Sequence, residues 1–168
     1  MNEVENFRSL FPLSIGDVVS HRIANQINEG LVTFSQSDIS IQSRLAEKWE
    51  ISEDAIMYTF YIQKGVFFHS DECFEGGKGR ELTAHDFKYC FDAVCESNTN
   101  NQGFFIFKDR VKGADEYYKQ TSEGKKPDGG VAGITVVDDY TLKIELIRPF
   151  ASFIYMLGTS FAYVYPHE

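Results

Sequence analysis

The sequence predicts an α+β domain: a mixed or antiparallel sheet with helices packed against it. Three observations carry this. Strand-type alternation and helix-type periodicity both occur along the chain, and its strands come as hairpins rather than in a regular βαβ rhythm. Aromatics make up 15% of the residues, with 15 Phe and 9 Tyr, an excess that suits sheet and a surface packed against something else. At 168 residues and 43% hydrophobic, the chain fits one domain with enough residues to close a core.

The elements follow in order. Residues 18–30, VVSHRIANQINEG, set Val19, Ile23 and Ile27 on one stripe four apart, and Gly30 stops them, which predicts an amphipathic helix. LVTF reads as a short strand and SQSD as a turn. RLAEKW reads as one helical turn feeding a strand at WEIS, with the lone Trp49 as a core anchor between helix and sheet. SEDA turns the chain into IMYTFYI. There Ile56, Tyr58, Phe60 and Ile62 share one face and Met57, Thr59 and Tyr61 the other, so a central strand is expected. GVFFHS continues or returns, and DECFEGGKGREL is a long glycine-bearing loop.

TAHDFKYCFDAVCES carries a helix-start signature in Thr83 and Asp86, with Phe87, Cys90, Phe91 and Val94 recurring at helical spacing. SNTNNQG is a loop. FKDRVKGADEYYKQTSEG reads as a second, more polar helix with Gly113 inside it. GITVV and YTLKIELI flank a DD turn as a hairpin, with Leu142, Ile144 and Leu146 alternating against Lys143 and Glu145. Pro149 ends that strand, FASFIYML makes an apolar helix, and FAYVYP is a last strand. No repeat or low-complexity segment occurs.

A net charge of −9 argues against nucleic acid, whose binding rests on Lys and Arg contacts to phosphate, and against anionic lipid. The start MNEVENFRSLFPLS lacks the apolar core of a signal peptide, and no apolar run approaches the roughly 20 residues of a membrane span. The chain is therefore expected to be soluble as it stands.

The chemical constellations are thin. His69, Asp71, Glu72 and Cys73 hold one His and one Cys with no second ligand pair, so a strand end opening into a loop is expected rather than a metal site. Cys90 with His85 and Asp86 invites a thiol nucleophile, yet Cys90 falls on the apolar stripe of its helix. GGKGRE lacks the phosphate-loop pattern. Cys73, Cys90 and Cys95 give no CxxC pair; buried thiols are expected, with a Cys73 bridge open in an oxidising compartment. No cofactor or metal is expected, and binding is favoured over chemistry.

Taken together, LAEKWEIS, YTFYIQKGVFFH, LTAHDFKYCFDAV and DDYTLKIEL, in that order and with GKKP before the hairpin, resemble the oligopeptide/dipeptide-binding group of the extracytoplasmic solute-binding proteins of ABC importers. The resemblance extends over nearly the whole chain. It implies a partial chain: residues 1–18 as the tail of a first-lobe segment, 19–168 as the extra domain beside that lobe, and a second lobe lying elsewhere. It also implies a peptide ligand, a membrane permease as partner, a monomer, and a periplasmic or extracytoplasmic location, lipid-anchored in a longer parent. In the family an acid after the SLxP segment pairs with the peptide amino terminus. That position is Gly16 here, followed by Asp17 and Val18, so Asp17 is the substitute and Val18 its neighbour. An aromatic matching Gly103 or Phe104 would face the ligand, and Phe104 is the candidate. Within the family the solute could instead be an oligosaccharide or a nickel or haem complex. Outside it, the alternative is a small thiol hydrolase using Cys90 or Cys95.

Overall fold

A computed structural model describes residues 6–168; Met1–Glu5, the opening of the expected first-lobe tail, lie outside the described residues. The helices are α1 (Val18–Ile27), α2 (Ala84–Val94), α3 (Ala114–Ser122) and the single turn α4 (Phe153–Met156). The strands are β1 (Val32–Phe34), β2 (Ile41–Ser43), β3 (Ala46–Ile51), β4 (Met57–Ile62), β5 (Ile134–Asp138) and β6 (Thr141–Glu145). β1 and β2 form a hairpin of their own, and the other four form an antiparallel sheet in the order β3-β4-β6-β5.

The alternation in IMYTFYI sets the register of that sheet. Tyr58 lies opposite Ile144, which lies opposite Ile134; Phe60 lies opposite Leu142, which lies opposite Val136. All of these but the half-buried Val136 are buried, so two apolar rows cross the sheet and face α2. β4 is an interior strand, as its two apolar faces predict. α2 presents Phe87, Cys90, Phe91 and Val94 to the rows, each at most 1% exposed. Its start carries the Thr83–Asp86 capping box. An aromatic relay then continues the core: Phe91 meets Phe107 edge-on, Phe107 meets Phe153, and Phe153 meets Tyr58.

Five expectations change in the folded chain. RLAEKW makes no helical turn. The amides of Leu45 and Ala46 donate to the carbonyls of Gly30 and Leu31, so the backbone enters β3 already extended. Trp49, opposite Phe60 on the inner face of edge strand β3, is half-buried against the core rather than enclosed by it. The face of α1 that packs inward is Ser20 and Ala24, both at 0%, while Ile27 stays 57% exposed and Val19 and Ile23 are half-buried. Gly113 is not inside a helix: with φ 77 it is the left-handed residue preceding α3, a conformation that glycine adopts without strain. FAYVYP forms a 3-10 turn at Ser160–Ala162 and then one antiparallel bridge from Tyr163 to Gly30, not a strand.

The glycine-bearing loop has a packing reason. A Cβ on Gly79 would lie 1.9 Å from the carbonyl oxygen of Phe68, because Phe67 and Glu81 bridge the two arms of the loop. Its glycine serves close backbone approach, not phosphate. His69 is exposed at the mouth of this loop, and among the described residues no three metal-ligating side chains converge.

Candidate solute-contacting wall

Asp17 is the N-cap of α1: its carboxylate accepts from the Ser20 amide at 2.8 Å and from the Ser20 hydroxyl at 2.7 Å. Those bonds hold its pKa below the usual carboxylate value, the Ser20 amide contributing most. The Ser20 oxygen in turn accepts from the Arg8 amide at 2.9 Å, so the cap also ties the incoming chain to the helix. Among the described residues these two bonds occupy about half of the roughly four acceptor positions of the carboxylate.

Val18 follows, 65% exposed. One turn on, and on the same face, His21 sets Nδ1 2.7 Å from the Ser160 hydroxyl and meets the ring of Phe161 edge-on at 5.4 Å. Phe161 meets Phe105 edge-on at 5.4 Å, and Phe105 is 53% exposed. His21, Phe161 and Phe105 thus form a row of edge-on rings, with Val18 and the Asp17 cap one turn earlier on α1.

The turn that carries Phe105 is tightly held. Gln102 donates its amide to the Leu13 carbonyl at 2.7 Å. The Asn101 carboxamide donates to the carbonyls of Ala93, Val94 and Glu96 at the end of α2. Gly103 is buried, and a Cβ there would lie 3.2 Å from Cβ of Phe161 and 3.3 Å from Cδ2 of Leu13. Phe104 itself turns toward α3 and stacks on Tyr118, with centroids 4.1 Å apart and planes 12° apart. Of the three residues singled out in the sequence, Asp17 and Val18 lie at the row and Phe104 anchors its turn. Phe105, His21 and Phe161 escaped sequence reasoning. The FF pair at 104–105 signalled an aromatic at this point but not which ring faces out.

The thiols are built the opposite way from a nucleophile. Cys90 and Cys95 are at most 1% exposed, and burial pushes both thiols well above their ordinary range. The Cys90 sulfur sits 3.3 Å from both the amide and the carbonyl of Tyr165. A nucleophile needs the thiolate, which this setting disfavours. Cys73 is exposed and unpaired.

The chain resembles known proteins of one family. The family model described as "Bacterial extracellular solute-binding proteins, family 5 Middle" matches residues 40–167. The Dipeptide-binding protein of Escherichia coli is 34% identical over 138 residues, 82% of this chain and 24% of that protein. Heme-binding protein A of Haemophilus influenzae is 32% identical over 145 residues, 86% of this chain and 24% of that protein. The chain therefore spans about a quarter of the length of these curated relatives. Among solved structures, Listeria monocytogenes OppA bound to peptide superposes with a TM-score of 0.78 at 25% identity, covering 98% of this chain and 30% of that one.

Proposed function

Because the chain belongs to the bacterial extracellular solute-binding proteins, family 5, we propose that it supplies one wall of a site that captures peptides outside the cytoplasmic membrane for an ABC importer. The observation that carries this reading is the ring row His21–Phe161–Phe105, open at Phe105, with exposed Val18 and the Asp17 carboxylate one turn earlier on α1. Asp17 would receive the peptide amino group and Val18 its backbone or first side chain, while Phe104 holds the turn that presents Phe105. Residues 1–18 close a segment of the first lobe in this reading, and 19–168 form the extra domain. Function is then binding rather than bond making, by a monomer that delivers its ligand to a membrane permease. The identity to a dipeptide-binding protein supports the ligand class.

A single wall leaves most of a ligand in water, whereas tight sites bury some 70–90% of it. The isolated 168 residues should therefore bind a mixed di- to pentapeptide library no tighter than about millimolar by calorimetry, and the whole protein should bind at micromolar or better. Micromolar binding by the isolated chain would overturn the one-wall reading. The second reading is haem, favoured by the 32% identity to Heme-binding protein A. Titration of the whole protein with haemin decides between them, since a peptide-specific site gives no Soret shift.

A further inference from the structure

We propose that the groove between α1 and the β1–β2 hairpin is a second binding site, for a neutral polyhydroxylated ligand such as a short oligosaccharide. It lies at the opposite end of α1 from Asp17, roughly 15 Å away at 1.5 Å per residue, and the proposal does not rest on the peptide reading.

The groove encloses about 520 Å³, within the range of small-molecule sites. Its lining is mostly polar and uncharged. Five carboxamides face it, including Asn25, Gln36 and Gln42, together with the hydroxyls of Thr33, Ser35 and Ser37. A carboxamide offers a donor and an acceptor in one plane, which matches adjacent sugar hydroxyls that each donate and accept. Tyr163 donates to Oδ1 of Asn25 at 2.9 Å, and among the described residues the Asn25 amino group has no acceptor. The carboxamides of Gln36 and Gln42 have no hydrogen-bond partner among the described residues. The half-buried ring of Phe34 adds an apolar face of the kind on which the C–H face of a pyranose packs.

The same lining rejects other ligand classes. Its one cation and one carboxylate, Arg44 and Glu29, are paired with each other, so the lining carries no net charge to favour a charged ligand. An apolar ligand would strip water from the carboxamides and return no hydrogen bond. What remains is a ligand that hydrogen-bonds at many points without charge.

Saturation-transfer NMR on the whole protein tests this with maltotriose and tri-N-acetylchitotriose as probes. At least one trisaccharide should show transfer, and the double variant Gln36→Ala, Gln42→Ala should weaken it tenfold or more. Both side chains are exposed, so the variant keeps its melting temperature and its peptide affinity. Three results would overturn the proposal: no transfer from either sugar at millimolar concentration, affinity unchanged in the double variant, or displacement of the sugar by N-acetyl-trialanine-amide. Sugar transfer to the unmodified protein without any peptide binding would instead strike the function proposed for the Asp17 wall, so the two fail separately.

Discussion

Asp86 carries more than a helix cap. It is 3% exposed, accepts the Thr83 amide at 2.8 Å, and receives Arg80 through two bonds of 2.9 and 2.6 Å. Arg80 also holds Glu168 at 2.6 Å, and its guanidinium is driven further into the charged form, by Asp86 first and Glu168 second. Thr83→Ala removes one capping partner and should cost about 1 kcal/mol in a denaturant melt. Arg80→Met leaves the Asp86 carboxylate buried without its cation and should cost about 3 kcal/mol, the low end for a broken buried pair. The low end applies because the Arg80 side chain is 32% exposed and water screens part of the loss. If the two variants melt alike, the Asp86–Arg80 pair contributes nothing beyond the cap. The capping motif was legible in TAHDF; Arg80, inside a glycine-bearing loop, was not, because only the folded loop brings its guanidinium back to the helix start.

At the scale of elements, the interior and edge of the sheet differ in what they can lose. Phe60 is 0% exposed on interior strand β4, so Phe60→Ala should cost about 3–5 kcal/mol. Trp49 lies opposite it on edge strand β3 and is half-buried. Trp49→Ala should then cost about 2 kcal/mol, since only part of the indole leaves water on folding. Urea midpoints at equal slope measure both. A larger loss for Trp49 than for Phe60 would mean that β3 is covered rather than an edge. Periodicity assigns Phe60 to a strand face, and its place between RLAEK and a strand marks Trp49 as a core anchor. Neither signal could rank them, because the position of a strand within a sheet depends on pairings between distant segments.

For the whole molecule, the buried thiols and a phenol set the alkaline limit. Burial raises Cys90 and Cys95 above the ordinary thiol value of 9.0 and Tyr165 above the ordinary phenol value of 10.0. Each folded pKa lies above its unfolded value, so the unfolded chain releases these protons first. The associated stability is complete below about pH 9 and is lost as pH rises from there toward the folded values. Chemical melts at pH 7, 9 and 10.5 should show a midpoint that holds to 9 and then falls. Cys95→Ala should flatten the fall. A midpoint constant to pH 10.5 would mean that these groups reach water in the folded state.

The sequence by itself determined the class of fold, strand β4 and its register face, the β5–β6 hairpin, helix α2 with its cap, and the family. Each of these rests on a local period or motif, and a period of 2 or 3.6 assigns a face without reference to the rest of the chain. Tertiary structure alone decided the wall. Asp17 is engaged by Ser20 as a cap, Phe105 rather than Phe104 faces outward, and α1 buries Ser20 and Ala24 instead of its isoleucines. The reason is range: His21 meets Ser160 and Phe161 across about 140 residues of chain. Such long-range contacts, not the propensity of a short segment, choose which face of a helix and which of two adjacent phenylalanines stays exposed.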